Sequence, residues 1–301
     1  MAKSRDLMTR LKDGPLLFDG GMGTQLFEQG LAAGACGVAW NVDEPDKVKT
    51  IHEAYVNVGC DAITTNTFQG SREALSMHLL DERVAELNKA GAKIAREAGK
   101  RNTIVAGDIG PFGGFLEPLG DTTLEELTDL FVEQMTALKE GGADCVLIET
   151  MSDVNETNCA IAAAKQVADW PVIVSYAYQK SGDQFITMMG TLAGEVVNTT
   201  FNAGADVVGA NCGTSMGLED YVRLADAIND AAGGRPVILQ PNAGAPVAKD
   251  GQITYPATPR QIANIVTRLL ASGVNIIGGC CGTTPKHLEE MADAMKAEVE
   301  A

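Results

Sequence analysis

The sequence predicts an α/β protein folded as a single (β/α)8 TIM barrel. Eight short runs rich in β-branched residues alternate with amphipathic stretches along the 301-residue chain, and roughly 250 residues is the usual size of this barrel. Most of the runs are apolar throughout, as in parallel strands that are covered on both faces. A doubly wound open sheet is the alternative, but eight strand-helix alternations in one chain favour the barrel.

The predicted elements follow one another in regular order. The eight strands are placed at residues 15–18, 61–67, 103–109, 144–150, 171–178, 206–212, 236–241 and 274–281. Helices lie between them, among others at residues 124–139, 156–168 and 259–270, the first capped by Thr122 or Thr123. No linker or composition break divides the chain, so we expect one domain over residues 1–301, with its core at about 11–298.

Four of the strands are entered through the same turn signal. A glycine, one further residue and then an aspartate or asparagine precede the apolar run, which is typical of a helix that ends at glycine and turns directly into a strand. The four signals are Gly59-Cys60-Asp61, Gly142-Ala143-Asp144, Gly204-Ala205-Asp206 and Gly273-Val274-Asn275.

The balance of charges excludes two classes of partner. The chain has 23 Lys and Arg against 40 Asp and Glu, a formal net charge of −17. Phosphate backbones and anionic membrane surfaces attract clustered basic side chains, so we expect no nucleic acid and no membrane as partner. No run approaches the roughly 18 apolar residues of a membrane span, and residues 1–12 lack the apolar core of a signal peptide. The expected location is the cytoplasm, where the seven cysteines would stay reduced.

Polar side chains end nearly every predicted strand. In a TIM barrel the carboxyl ends of the strands form the active-site face, so these side chains are candidates for one site. Taken singly, Asn66 and Asp108 are explained equally well as caps or turn formers. The residues concerned are Asp19, Asn66, Asp108, Glu149, Asn211 with Cys212, Gln240 with Asn242, and Cys280 with Cys281.

The strongest single feature is a pair of adjacent cysteines, Cys280 and Cys281, with glycines on both sides. Neighbouring side chains in a strand point to opposite faces, and the glycines let the backbone leave strand geometry so that both thiols can face one point. Cys212 ends an earlier strand at the same mouth. Three thiolates with one open position are typical of a catalytic zinc site. Three buried free cysteines are the alternative; a strained disulfide between the adjacent pair is less favoured.

Together these residues resemble the homocysteine S-methyltransferase family, and within it the N-terminal homocysteine-binding modules of cobalamin-dependent methionine synthases. The resemblance runs from about Leu11 to the last helix. It is carried by Asp19-Gly20-Gly21-Met22-Gly23-Thr24, Thr65-Asn66-Thr67-Phe68, Gly107-Asp108-Ile109-Gly110-Pro111, Glu149-Thr150, Asn211-Cys212, Pro241-Asn242-Ala243-Gly244 and Gly279-Cys280-Cys281-Gly282-Thr283-Thr284-Pro285.

The resemblance implies a TIM barrel with zinc held by Cys212, Cys280 and Cys281. The sulfur of homocysteine would be a further ligand and would displace water or a weak protein ligand such as Asn242. Zinc acting as a Lewis acid would turn the substrate thiol, whose pKa is about 8.5 when free, into the nucleophilic thiolate without a general base. The implied activity is zinc-dependent methylation of homocysteine to methionine, with the three cysteines as the catalytic residues.

The resemblance also implies a set of substrate contacts. The carboxylates of Asp19 and Glu149 would hold the amino group of homocysteine, and backbone amides at the start of the first motif would hold its carboxylate. The positions expected to contact the substrate are Asp19, Gly20, Gly21, Met22, Asn66, Asp108, Glu149 and Asn211.

The methyl donor is left open among S-methylmethionine, S-adenosylmethionine, betaine and a methyl-corrinoid. The chain contains no Asp-x-His-x-x-Gly corrinoid signature, so methylcobalamin or another corrinoid would be supplied in trans, by a separate corrinoid protein or as free cofactor. Two further interpretations stay open. One is a corrinoid-dependent module that methylates another thiol, and the other is a non-catalytic protein that binds zinc or thiols.

Overall fold

The computed structural model describes residues 4–249 and 252–300. Residues 1–3, 250–251 and 301 of the predicted domain lie outside the described residues. Eight parallel strands, labelled β1 to β8, are Leu16–Leu17, Ala62–Thr64, Ile104–Ile109, Cys145–Met151, Val172–Tyr176, Val207–Asn211, Val237–Gln240 and Ile276–Ile277. The α-helices, labelled α1 to α12, are Leu7–Leu11, Met22–Glu28, Trp40–Asp43, Pro45–Asn57, Arg72–Ser76, Val84–Ala98, Leu124–Gly141, Val154–Val167, Ala193–Ala203, Leu218–Ala232, Pro259–Ala271 and Pro285–Glu300.

The eight strands close into a barrel. Each strand from β2 to β7 pairs in parallel with the next in chain order, and β8 pairs with β1. β1 and β2 are joined by a parallel bridge between Phe18 and Ala62 and by the hydrogen bond from the Asp61 N–H to the Leu17 carbonyl (2.7 Å). The TIM barrel predicted from the sequence is confirmed, and the open doubly wound sheet is excluded.

The repeated turn signal joins neighbouring strands at the rim of the barrel where the strands start. Each Asp or Asn side chain of the signal accepts a hydrogen bond from a backbone N–H near the start of the preceding strand, and its own N–H donates to the carbonyl of that same residue. These bonds satisfy amides that would otherwise be left unpaired at the rim. The pairs are Asp61 with Leu17 (3.2 Å), Asp144 with Val105 (2.9 Å), Asp206 with Val172 (2.8 Å) and Asn275 with Val237 (2.9 Å).

The helix ends follow the same local chemistry. α7 begins at Thr123, whose hydroxyl accepts the Glu126 N–H while the Glu126 carboxylate accepts the Thr123 N–H, a complete capping box. α7 and α9 end at Gly142 and Gly204, with φ of +103° and +105°, a backbone region that favours glycine. The predicted cap at Thr123 and the predicted glycine ends of these helices are therefore confirmed.

Apolar side chains fill the barrel interior at the end where the strands begin. α1 covers this end and contributes Leu7 to the packing. Because that half is closed, the opposite end, where the strands finish, is left for a site. The interior cluster consists of Leu7, Leu16, Phe18, Ala62, Ile104, Ala106, Cys145, Leu147, Ile173, Val207, Ile238 and Ile276.

Two short antiparallel hairpins were not predicted. One pairs Tyr178–Ser181 with Gln184–Thr187 after β5, and the other pairs Val247–Lys249 with Gln252–Thr254 after β7. The predicted strand at residues 171–178 therefore ends at Tyr176, and the one at 274–281 ends at Ile277, before the paired cysteines. In the described part of the chain, no helix combines the length and apolar character needed to cross a membrane.

Candidate metal and substrate site

A polar layer begins directly above the apolar interior of the barrel. Side chains alternate between inside and outside along a strand, so the residue two places beyond an interior apolar residue also points inward. In five strands the last interior residue of the apolar cluster is followed, two places on, by a polar residue that also points inward. The changes are Ala62 to Thr64, Ala106 to Asp108, Leu147 to Glu149, Ile173 to Ser175 and Ile238 to Gln240.

Three thiols meet at the rim of this layer. The sulfur atoms of Cys212, Cys280 and Cys281 lie within 4.8 Å of one another, with 3.9 Å from Cys281 to each of the other two. Within residues 4–249 and 252–300 this is the one group of three or more His, Cys, Asp or Glu side chains close enough to share a metal ion.

The backbone around the thiols departs from strand geometry, as the glycine pattern predicted. Cys212 has a φ of +50°, which is rare for a residue with a side chain, and the Tyr221 hydroxyl donates to its carbonyl. The Cys280 N–H donates to the Pro241 carbonyl (2.9 Å), and Gly282 has a φ of +78°. These bonds tie the β6, β7 and β8 loops together and turn all three sulfurs toward one point.

The thiol cluster holds negative charge. Donation from the other two thiols lowers the pKa of Cys212 to about 3, while donating to Cys212 raises the pKa of Cys281 to about 11 and raises that of Cys280. The three sulfurs therefore share two protons, which a bound cation would replace. Asn242 lies beside it, with Nδ2 3.7 Å from the Cys212 sulfur and a buried Oδ1 that lacks a hydrogen-bond partner in the described structure. Three sulfurs and a free carbonyl oxygen fit a four-coordinate zinc ion.

Two buried carboxyl groups of the polar layer share a hydrogen bond. Asp108 on β3 and Glu149 on β4 are linked, and burial, followed by the charge of the neighbouring carboxyl, raises the pKa of Asp108. Burial and the negative charge of Cys212 raise the pKa of Glu149 to about 8. Near neutral pH the pair therefore keeps a proton that a cationic ligand would displace.

The carboxylate of Asp19, a third acidic residue, is hydrogen-bonded to Thr64. Its carboxylate accepts the Thr64 N–H (2.9 Å) and the Thr64 hydroxyl (3.1 Å), and burial raises its pKa to about 7 in spite of these bonds. Asp19 thus anchors the start of the loop that follows β2.

Asn211 connects the carboxyl pair to the thiols. Its Nδ2 donates to Glu149 Oε2 (2.9 Å) and lies 3.7 Å from the Cys280 sulfur, while its Oδ1 accepts from the Thr150 N–H (2.9 Å) and the Ser175 hydroxyl (2.8 Å). Thr150 has a φ of +61° at a register shift in β4. Such a conformation costs free energy and persists only when neighbouring groups hold it. Here the hydrogen bonds between Asn211 and Thr150 hold it.

Most of the predicted site residues line one cavity of about 430 Å³. The three that do not are Asp19, Asn211 and Asn242, which lie behind its wall. Asn66 lies on the wall but its Nδ2 donates to the Gly37 carbonyl (2.8 Å), so it holds the segment before α3. The wall residues from the predicted set are Gly20, Gly21, Met22, Asn66, Asp108, Glu149, Cys212, Cys280 and Cys281.

The glycine-rich loop before α2 packs closely against the cysteine segment. The Gly21 N–H donates to the Thr283 hydroxyl (3.0 Å), and a Cβ on Gly21 would lie 2.7 Å from the Cys280 carbonyl oxygen. No side chain fits there, which explains the glycine. The Gly21 amide is already engaged, whereas Met22 opens α2 with an N–H of the first helical turn, which has no acceptor within the helix.

Sequence reasoning missed the roles of two residues, one on the cavity wall and one beside the thiols. Gln240 was noted as a strand end without a role, and it lines the cavity. The Tyr255 hydroxyl contacts the Cys281 sulfur, and thiolate charge raises the pKa of this partly buried tyrosine further than desolvation alone. Tyr255 follows the second hairpin, whose short polar strands carry no strong pattern, so no signal in the sequence placed it near the thiols.

A second cavity of about 1,030 Å³ adjoins the first, with Thr150 and Cys212 on the walls of both. It lies between the loop that follows β3 and the hairpin that follows β5. Large apolar side chains stand exposed along its rim, including Phe115, Leu119, Met188 and Met189. The thiol cluster is thus reached from two sides, through a smaller cavity that holds the Asp108 and Glu149 carboxyls and through a larger one with an apolar rim.

Comparisons with known proteins identify relatives of this chain. The family model described as homocysteine S-methyltransferase matches residues 16–295. Two methionine synthases, from Mycobacterium tuberculosis and Mycobacterium leprae, are each 30% identical over 309 aligned residues that cover 96% of this chain and 25% of theirs. The chain therefore spans about a quarter of the length of these curated relatives.

Solved structures share the fold. The metallated form of the homocysteine methyltransferase MmuM from Escherichia coli superimposes with a TM-score of 0.77 at 20% identity, covering 97% of this chain and 99% of that one. Its apo form gives 0.73 at 22% identity, covering 96% and 98%. A methyltransferase from Methanosarcina mazei gives 0.63 at 12% identity, covering 99% and 100%.

Proposed function

The chain belongs to the homocysteine S-methyltransferase family, and from that premise we propose that it methylates the sulfur of homocysteine to form methionine, with zinc held by Cys212, Cys280 and Cys281. The observation that carries the proposal is the meeting of three sulfur atoms at the edge of a cavity whose wall also holds the Asp108 and Glu149 carboxyls. A thiol and an ammonium group on one small molecule match these two features.

The three cysteines and Asn242 form the metal-binding part of the proposal. Zinc at this position would lower the pKa of the substrate thiol and so make the nucleophilic thiolate available at neutral pH. Asn211 and Asn242 place their Nδ2 groups 3.7 Å from Cys280 and Cys212, and this donation spreads the negative charge of the cluster. The unpaired Oδ1 of Asn242 would serve as the weak ligand that the substrate sulfur replaces.

The remaining wall residues orient the amino acid. The carboxyl pair of Asp108 and Glu149 would bind the ammonium group and give up its shared proton on binding. Asp19 would add negative charge from behind the wall and keep Thr64 in place. The amide of Met22 is the strongest candidate for the substrate carboxylate, because the Gly21 amide already donates to Thr283. With both ends held, the sulfur faces the second cavity.

The second cavity favours a large methyl donor. Its volume of about 1,030 Å³ is more than twice that of the first cavity and exceeds what a small sulfonium such as S-methylmethionine needs. The wide apolar rim suits a methyl-corrinoid presented by another protein domain.

The test is methionine formation from homocysteine by the zinc-loaded protein, with methylcobalamin and S-methylmethionine supplied in parallel. We expect methionine with methylcobalamin and none with the sulfonium. Turnover with the sulfonium alone would contradict the corrinoid donor and leave homocysteine methylation intact. Zinc bound without methionine from either of these donors, or from S-adenosylmethionine or betaine, would identify a non-catalytic binding protein instead.

A further inference from the structure

We propose that Gln240 contacts the substrate directly, its side-chain carbonyl accepting a hydrogen bond from the ammonium group of homocysteine. This inference rests on the proposed function and adds a specificity residue to it. Gln240 is the last residue of β7, is 3% exposed and lines the first cavity. Its Oε1 is buried and has no hydrogen-bond partner within the described residues, so the contact requires the terminal amide to turn about χ3, a torsion with a broad energy well.

A buried amide without a partner needs an explanation. Nearly all buried polar side-chain atoms in folded proteins are hydrogen-bonded, and those that are not lose solvation without compensation. Leucine or methionine would fill the same space on β7 at lower cost. An orphan amide on the wall of a cavity is therefore expected to find its partner in the ligand.

The unpaired atoms on this wall are of one chemical kind. Asp108 Oδ1 is also buried without a partner, and it, like Gln240 Oε1, accepts hydrogen bonds. Both residues occupy inward positions two places beyond interior apolar residues of β3 and β7. In the strand order of the eight-stranded barrel β3 and β7 lie opposite one another, so the two side chains approach the axis from opposite sides.

An ammonium group supplies what this layer lacks. It carries three N–H donors, and Asp108, Glu149 and Gln240 provide three acceptors. Asp19 is not counted among them, because it does not line the first cavity and its carboxylate already accepts the Thr64 N–H and hydroxyl. A neutral amide at Gln240 completes the set without adding another negative charge beside Asp108 and Glu149 and close to Asp19.

The test compares thiols that lack one end of homocysteine. The wild-type protein and Gln240→Met are assayed with homocysteine, with 4-sulfanylbutanoate, which has no ammonium, and with 3-aminopropane-1-thiol, which has no carboxylate. Gln166→Met, on the exposed face of α8, is the matched control. Losing one hydrogen bond to a charged group should raise the KM for both amines by about tenfold or more, with kcat within about twofold. The KM for 4-sulfanylbutanoate should not change.

Two results would overturn the assignment. An equal rise for all three thiols would make Gln240 a packing residue, and a rise confined to the carboxylate-bearing thiols would show that it binds the other end. Gln240→Glu restores an acceptor of the same shape and should recover homocysteine binding relative to Gln240→Met. This rescue also separates a lost contact from a misfolded variant.

Binding measured by calorimetry keeps the inference distinct from the proposed function. If the zinc-loaded wild-type protein binds homocysteine but methylates nothing, the proposed function fails, and the loss of affinity in Gln240→Met still tests the contact. If turnover proceeds and Gln240→Met binds homocysteine as the wild type does, only the role of Gln240 fails.

Discussion

Replacing Asn211 by alanine removes the side chain that joins the carboxyl pair to the thiol cluster. Asn211 is fully buried, donates to Glu149 and Thr150, and accepts from Thr150 and Ser175. Alanine leaves the Thr150 N–H and the Ser175 hydroxyl without their acceptor. It also releases Thr150 from the bonds that hold it at a φ of +61°.

The expected loss of stability follows from these partners. An unsatisfied buried group costs about 1–3 kcal/mol, so two such groups give about 2–6 kcal/mol, and water that enters the space left by the side chain brings the value toward the lower end. We therefore expect the free energy of unfolding to fall by about 3 kcal/mol. The KM for homocysteine should rise as well, because Glu149 loses the donor that orients it.

The assay is urea unfolding of the metal-free protein, so that metal binding does not hide the loss. Asn229→Ala is the matched control, because the Asn229 side chain is half-buried on α10 and makes a single hydrogen bond, to the Ala225 carbonyl (3.0 Å). We expect it to cost less than about 1 kcal/mol. The reasoning would be refuted if Asn211→Ala lost no more stability than this control, or if its KM for homocysteine matched the wild type.

Three other predictions follow from the same geometry. Cys281→Ala should abolish zinc binding and turnover together, as measured by metal analysis and methionine formation; full zinc content in the variant would contradict the ligand assignment. Because burial raises the pKa of Glu149 to about 8 and only the ionised pair binds ammonium, the KM for homocysteine should fall from pH 6 to 8 and level off above. 4-Sulfanylbutanoate, which has no ammonium group, serves as the control. An equal fall in its KM would show that ionisation of the substrate's thiol group, and not of the carboxyl pair, causes the effect. Met188→Glu on the rim of the second cavity should slow methyl transfer from methylcobalamin at least about tenfold without changing the KM for homocysteine. Met77→Glu replaces an exposed side chain outside both cavities and should change neither quantity. Equal effects of the two substitutions would refute a donor surface at the rim.

The barrel was predictable because its signals are local. An apolar run such as that of β5 predicts a buried parallel strand wherever it occurs, and Gly142, two residues before Asp144, predicts the end of a helix. The two hairpins escaped prediction because their strands are three or four residues long and largely polar. In such strands the period-two pattern has too few positions to stand out.

The site was predictable in part, for a similar reason. Adjacent thiols at Cys280 and Cys281 between glycines stand out along the chain, and Cys212 follows from the shared rim of the barrel. The pairing of Asp108 with Glu149 and the bridging role of Asn211 depend on contacts across strands, which a linear sequence does not record. The hydrogen bonds from Thr64 to the Asp19 carboxylate also depend on the fold, and no pattern in the sequence records them.

The proposed activity requires that three cysteines hold zinc and that the sulfur of homocysteine joins them. Zinc K-edge X-ray absorption of the loaded protein, recorded without and with homocysteine, counts the sulfur ligands directly. We predict three sulfur ligands and one lighter ligand in the free protein, and four sulfur ligands with the substrate. A count that stays the same when homocysteine is added, or that begins below three, would contradict the claim.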